Sequence, residues 1–451
     1  GVPAGGDNGT VLTKVGTGPG TDYQTSWQAV TTGVSSVDNL TGAVSLSNNY
    51  DAKGTAALKS KFDSFLAKAT GPINAFPAAN IINPTASLNY SAMAASTAVI
   101  WAWNSTPSKF YFRGLVQSEF MVGSTSCVRN NPIGDLSFNV FWVEFDHYGT
   151  QFDIQFNRRI GTQYPQLWVW VDGVPVTDKP TYNNPSVNVI SYQTVTLSGD
   201  VKQRRIRVML AAADFAGIGL ASDKDTIFPV EQKLLKVVLF GGSWFQGGSG
   251  YPSGSIAYMN EHLSVQLGEM MNVDYYVNAI GGTGYYGGSA ASPPNNWATT
   301  SRLNPLNTIQ PDLIIFFGTT NDDYYTSTPV SAAATSTYNQ VLAALPNTKI
   351  IVVTRQSNTD DGKGDTNQYP GALVNENAVV ASATPFLTKN IIGIVKPFSE
   401  GWVNGTPGSS GTGNGSIYIY TDKHPTPAGN HYYATRTFNR IFNIIKDYTR
   451  S

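Results

Sequence analysis

Four short blocks of the chain carry residue types that together can do acyl chemistry. They are Gly241-Gly242-Ser243-Trp244, then Asn278-Ala279-Ile280-Gly281-Gly282-Thr283-Gly284, then Gly318-Thr319-Thr320-Asn321-Asp322, and finally Asp422-Lys423-His424-Pro425. A serine between small neighbours is open to a substrate carbonyl, and a histidine that reaches its hydroxyl can act as general base. A loop glycine offers a backbone N–H and an asparagine a side-chain amide, the donors that a developing oxyanion needs. A carboxylate on the other ring nitrogen would orient the histidine. Each block alone is ordinary. A serine or Gly-Gly after a strand is usually turn chemistry, and His-Pro before a helix is often a cap region. Their order along one chain, three of them directly behind apolar runs, gives them weight.

The elements that position these blocks follow from the hydrophobic pattern. Residues 237–240, 275–277, 313–317, 350–353 and 391–395 are short apolar runs that read as buried strands. Between and after them, 256–271, 331–345 and 427–448 read as helices, the first with Ile256, Met259, Leu263, Leu267 and Met270 on one side. Continuous apolar strands joined by crossover helices predict a parallel sheet covered on both faces, with its ligand site at the carboxyl ends of the strands. Upstream, from about 80 to 228, the period changes to strands and turns. Residues 136–142, 166–171, 192–197 and 205–210 are the clearest runs, and 166–171 closes on Asp172-Gly173, a favoured hairpin turn. Ile206, Val208 and Leu210 share one face, and the region reads as a β-sandwich. Residues 55–69 read as a short helix broken by Gly71-Pro72 and Pro77.

Composition narrows the function classes. The 451 residues are 13% charged and 12% aromatic, against roughly 25% charged in average globular chains, so charge-driven disorder is not expected. A formal net charge of −1 gives no global electrostatic reason to bind nucleic acid. One cysteine, Cys127, excludes an intrachain disulfide framework or a cysteine zinc site, and four histidines argue against a histidine-rich metal site. No cofactor is called for. No apolar run reaches the roughly 18 residues of a membrane span, and the first residues show no signal peptide. Cys127 is read as buried, His147 as lying on a turn, His262 on a helix and His431 inside the closing helix, all structural. Trp244, Phe245, Tyr285, Tyr286, Tyr324 and Tyr325 flank the blocks and suit either packing or stacking on sugar rings. The runs 247–254 and 359–369 read either as loops at the rim of a cleft or as ordinary mobile loops.

The order of Ser, Gly, Asn and His resembles the SGNH (GDSL-type) hydrolase family over about 236–448. No Gly-x-Ser-x-Gly elbow exists in the chain, which argues against an ordinary α/β-hydrolase. The resemblance implies an α/β fold with a flavodoxin-like parallel sheet. It makes Ser243 the nucleophile and His424 the base, with Ser243, Gly282 and Asn321 forming the oxyanion hole; Gly281 competes with Gly282. Three positions depart from the family pattern. Gly242 replaces the usual Asp, Thr319 stands where Gly is usual, and Thr421 rather than an acid lies three before His424. Asp422, two before, either orients His424 or leaves the site a Ser–His dyad. A β-sandwich (jelly-roll-like) followed by an SGNH domain is similar to carbohydrate esterase family 2, which removes acetyl groups from polysaccharides and some of whose members use a dyad.

The first residues point elsewhere. "GTVLTK" through "DYQTSW" and then "VSSVDNLTGAVSL" resemble connector segments of bacteriophage tail fibres and tailspikes, which are usually homotrimers. The expected organisation is a fibre connector over 1–54, a short helix and linker over 55–80, a β-sandwich over 81–230 and the SGNH domain over 231–451. The expected function is a virion tail esterase that hydrolyses an ester, such as an O-acetyl group, on host cell-surface polysaccharide, with other tail proteins as partners. The alternatives are a receptor-binding adhesin that keeps the fold without catalysis, or a lipase or mycolate-type esterase acting on the host envelope.

Overall fold

The computed structural model describes residues 10–14, 25–29, 36–37, 40–41, 53–72, 82–91, 99–102, 104–114, 117–122, 125–130, 140–158, 165–182, 185–186, 188–246, 259–287, 296–318, 320–356, 372–387, 389–421 and 424–450. Contacts divide the chain into two units, Gly1–Leu58 and Lys59–Ser451. Within the first, Thr10–Lys14 pairs antiparallel with Thr25–Ala29, Thr10 opposite Ala29, and Ser36–Val37 pairs with Leu40–Thr41. Each of the two N-terminal phrases quoted above thus coincides with one of these strand pairs.

Among the described residues, the second unit holds two seven-stranded antiparallel sheets and one five-stranded parallel sheet. In the antiparallel part, Phe141–Gly149 belongs to one sheet and Gln151–Arg158 to the other, so the chain changes sheet at Thr150. Alternation sets the faces. Phe141, Val143 and Phe145 join Phe152, Ile154 and Phe156, Leu167 and Val169, and Ile206, Val208 and Leu210 in one core contributed by both sheets. The hairpin expected after Gln166–Val171 forms, Val171 pairing Val174 across Asp172 and Gly173. Those two residues take φ of 53° and 80°, the left-handed pair that a tight two-residue turn requires.

The even positions of Phe141–Gly149 point the other way, and the partners of Trp142 and Glu144 explain why these two are also buried. Trp142 Nε1 donates to the Tyr275 hydroxyl at 2.9 Å. Arg113, fully buried, pairs with Glu144 at 2.5 Å and with Glu269 at 3.0 Å. Arg207 closes the group, 3.1 Å from Glu144 and 3.0 Å from Glu269. Two cations and two anions thus neutralise one another where an unpaired charge would be costly. Gly114 extends Tyr111–Arg113 onto the edge of the parallel sheet, its N–H bonding the Tyr275 carbonyl at 2.5 Å and its backbone bridging Tyr276. Antiparallel and parallel sheets are therefore bonded directly to each other.

The parallel sheet runs Asp274–Ala279, Lys236–Gly241, Leu313–Phe317, Lys349–Val353, Ile391–Val395. Numbered by sequence this is 2-1-3-4-5, the doubly wound order whose direction switches between the first and third strands. On one face Val238, Phe240, Ile314, Phe316, Ile350 and Val352 pack with residues of Thr300–Ile309, Ser327–Ala344 and Ala372–Ala383. On the other lie Leu263–Met271 and Pro427–Arg450. Gly268 lets the first approach Tyr275, and Gly393 lets the second approach, because a Cβ there would sit 2.6 Å from Ile444. His431 and Gln266 tie these two helices at 2.9 Å. Phe62 and Phe65 of Lys53–Lys68 pack on Tyr448 and Phe442, and Lys61 pairs with Asp312 at 2.7 Å.

Two readings of the sequence need correction. The helix expected over 256–271 begins at Leu263. His262 is its extended N-cap and Met259–Glu261 is a separate 3₁₀ turn, a backbone break that apolar spacing does not register. Of the strand expected at 136–142, residues 136–139 lie outside the described residues, and Phe141 and Trp142 open the strand Phe141–Gly149. His147 lies inside that strand and not on a turn. It is opposite Arg204 and Ile227, fully buried, with its ring 4.7 Å from Phe152. The polar run Asp146-His147-Tyr148 reads locally like a turn, but pairing on both sides keeps it extended. Cys127 is buried, on Thr125–Asn130.

Candidate active site

Ser243 begins a four-residue helix, Ser243–Gln246, directly behind Lys236–Gly241. The Phe245 and Gln246 N–H groups bond the Gly242 carbonyl, and the Phe245 ring stacks on Phe317 at 4.4 Å. Gly241 permits the sharp turn, since a Cβ there would lie 3.1 Å from the Phe245 ring. His424 comes from the other end of the domain. Its carbonyl accepts the Tyr420 N–H at 2.8 Å, and Thr426 bonds the Tyr418 and Ile417 carbonyls, pinning the loop on Gly415–Tyr418. Across 181 residues of sequence, His424 Nε2 lies 2.9 Å from Ser243 Oγ. That is the contact a general base needs with a serine nucleophile.

The donors come from the next two strand ends. The Gly281 N–H is taken by Gln246 Oε1 at 2.7 Å. Gly282 has φ +72°, and among the described residues nothing accepts its N–H. Asn321 Nδ2 donates to the Thr283 carbonyl at 3.0 Å, which fixes the plane of its amide. Asp322, buried, accepts from the backbone N–H groups of Tyr285, Tyr286 and Gly287 at 3.0, 3.0 and 2.6 Å. Burial pushes its carboxyl up from the usual range, and these three bonds oppose the shift. The loop after the second strand and the turn after the third are thus laced together.

Arg302 sits beneath this arrangement, fully buried. It donates to Asn278 Oδ1, Thr283 Oγ1, and the Gly241 and Asn278 carbonyls, each at 3.0 Å. Burial pushes its guanidinium down to about 9, so it stays charged at neutral pH. One side chain therefore ties the strand end before Ser243 to the loop that carries Gly282. On the far side, Asp323 pairs with Arg355 at 2.6 Å, and Asn375 holds the Asp322 and Tyr325 carbonyls.

The structure brings Ser243 and His424 into contact and sets Gly282 and Asn321 on the adjoining loops. Asp422, Thr319 and the runs 247–254 and 359–369 lie outside the described residues. Of the flanking aromatics, Trp244, Phe245 and Tyr285 are core; Trp244 meets Tyr433 at 4.9 Å and Tyr285 bonds Tyr338 at 2.7 Å. Tyr286 and Tyr324 are exposed. Sequence reasoning missed Gln246, Thr283 and Arg302. The available signals were a glutamine one helical turn past Ser243 and a cation inside an otherwise uncharged stretch.

No family model matches the sequence, and no curated protein matches it either. Solved structures do share the fold. A family two carbohydrate esterase from Cellvibrio japonicus aligns with a TM-score of 0.55 at 13% identity, over 80% of this chain and 99% of that one. An acetyl xylan esterase from Butyrivibrio proteoclasticus aligns at 0.54 and 13%, over 77% and 98%. A salicylyl-acyltransferase from a tetracycline biosynthetic pathway aligns at 0.54 and 12%, over 75% and 95%. At these identities the likeness is one of fold: a mixed α/β chain of parallel and antiparallel sheets, shared with family two carbohydrate esterases.

Proposed function

We propose that this chain is a serine ester hydrolase that removes acetyl or similar acyl groups from a polysaccharide. The observation that carries the reading is the 2.9 Å contact between His424 Nε2 and Ser243 Oγ, at the carboxyl end of the parallel sheet beside the switch in strand order. His424 takes the Ser243 proton as Oγ attacks the ester carbonyl. The Ser243 and Gly282 N–H groups and the Asn321 amide hold the oxyanion. Collapse expels the sugar hydroxyl with the proton from His424 and leaves an acyl-serine. His424 then deprotonates water, which attacks the acyl-serine and releases the acid. Asp422 is the proposed orienting carboxylate, with a Ser–His dyad as the form the site takes without it. No cofactor enters.

The similar fold of an acetyl xylan esterase supports a carbohydrate ester as substrate. The antiparallel sheets form a β-sandwich that supports the catalytic part or binds glycan. The fibre-like phrases near the N-terminus support a homotrimer on a bacteriophage tail, docked to other tail proteins and acting on host cell-surface polysaccharide. The test is Ser243→Ala against p-nitrophenyl acetate and an O-acetylated glycan. Activity and acetate release should both vanish, and a serine-directed phosphonate should label only the parent protein. Full activity in the variant would overturn the proposal, and an unlabelled, inactive parent would point to an adhesin.

A further inference from the structure

We propose that Gln246 is a positioning residue that selects the Gly282 N–H, and not that of Gly281, as the second oxyanion donor; this rests on the esterase reading above. Two consecutive glycines present two N–H groups near the nucleophile, and an oxyanion gains only from a donor whose direction is already set. Gln246 lies one helical turn past Ser243 on the same short helix and is 8% exposed. Its Oε1 takes the Gly281 N–H at 2.7 Å. That N–H is engaged, so Gly281 has no backbone donor to offer a substrate.

The same contact orients the next peptide. A Cβ on Gly281 would lie 2.5 Å from Gln246 Oε1 and 3.6 Å from Ser243 Cβ, so this stretch of backbone lies flat against the Ser243 turn. Gly282 follows in the left-handed region, at φ +72°, where glycine alone carries little strain. The loop is held from its other side too. Thr283 Oγ1 donates to the Ile280 carbonyl at 2.8 Å, and the Thr283 carbonyl accepts from Asn321. Gln246 thereby links the helix that carries the nucleophile to the donor that must stabilise its product, and any shift of one carries the other. A neutral amide suits the place, because a carboxylate would set a negative charge close to the oxyanion.

The test compares Gln246→Met, of similar length but without an acceptor oxygen, with Gln246→Glu, which keeps one. A misaimed donor should cost Gln246→Met about 10–100-fold in kcat, with KM changed less than about threefold. The inhibition constant of an alkyl boronic acid, a mimic of the tetrahedral species, should rise by the same factor, since such analogues report transition-state binding. Gln246→Glu should regain activity relative to Gln246→Met as the pH is lowered and the added carboxyl protonates. Thermal midpoints verify folding. Unchanged kcat in a folded Gln246→Met, or a fall in kcat without the matching loss of boronate affinity, would overturn the assignment. A parent protein indifferent to Ser243→Ala would instead sink the esterase reading itself.

Discussion

Replacing Asn321 by aspartate should harm turnover more than truncating it to alanine, although aspartate keeps the native shape. Asn321 Nδ2 donates to the Thr283 carbonyl, 3.0 Å away, and the same amide is the proposed side-chain donor to the oxyanion. Alanine removes that donor, which costs on the order of 10²–10³ in turnover, or about 2.7–4 kcal/mol. Aspartate removes it too and adds a charge. A carboxylate ~4 Å from the oxyanion at an effective dielectric of ~20 repels it by about 4 kcal/mol, roughly a further 10³ in rate. An aspartate oxygen would also face the Thr283 carbonyl, acceptor against acceptor. The assay is kcat/KM on p-nitrophenyl acetate across pH, with thermal midpoints as a check on folding. Asn321→Asp should start about 10⁵–10⁶-fold below the parent, by adding those two losses. It should gain on Asn321→Ala as the pH falls, because a protonated aspartate is neutral and carries an O–H donor. If Asn321→Asp is as active as Asn321→Ala or better, Asn321 holds the loop in shape and is not an oxyanion donor.

Glu269→Gln leaves Arg113 and Arg207 with one anion between them and should cost about 3–5 kcal/mol, seen as a lower urea midpoint; a loss under about 1 kcal/mol would refute the neutral-cluster account. Arg302→Met orphans Asn278 Oδ1 and releases the loop of Gly282, so it should cost about 2–4 kcal/mol in stability and lower kcat with little change in KM; an unchanged kcat would show that the clamp does not act on the site. The two buried, neutral histidines should weaken the fold in acid before its carboxylate pairs titrate. Burial pushes both His147 and His262 down to about 4 from 6.5, with the Arg204 charge adding to the first. Between those values the unfolded chain binds protons that the folded chain refuses. Stability is therefore full above about pH 6.5 and falls toward pH 4, by about 3 kcal/mol for each histidine. Asp274, pushed up by burial from 3.8 to about 6, works in the opposite sense. It returns about 3 kcal/mol over the same range, and Asp322, also pushed up by burial, acts in the same sense. Urea curves at pH 7 and pH 4.5 for the parent and His262→Gln isolate the histidine effect: the parent should lose more stability on acidification than the variant, and equal losses would contradict it.

Much of the fold was legible because its signals are local. Buried parallel strands such as Leu313–Phe317 are unbroken apolar runs, and Asp172-Gly173 announces its hairpin because few other pairs accept two left-handed residues. Where neighbours override local character, reading failed. His147 sits in a polar run that only pairing with strands on both sides keeps extended, and the helix thought to begin at Ile256 begins at Leu263 because His262 is held extended. Arg302 was invisible as a clamp, since its four acceptors come from Gly241, Asn278 and Thr283, each distant in sequence.

What the sequence by itself determined is the set of parts. It contains a serine among glycines, a Gly-Gly loop, an Asn-Asp turn and a lone His-Pro histidine, each tied to an apolar run whose period specifies strand or helix. Those are properties of short windows, set by backbone sterics and the burial of neighbouring side chains. Only the tertiary structure decided the strand order 2-1-3-4-5 that sets Ser243 beside the switch, the 2.9 Å approach of His424 across 181 residues, and which of two adjacent glycines keeps its N–H open. Such choices depend on contacts between segments far apart in the chain. Their geometry is settled when helices and sheets pack at close distance, and no local pattern contains it.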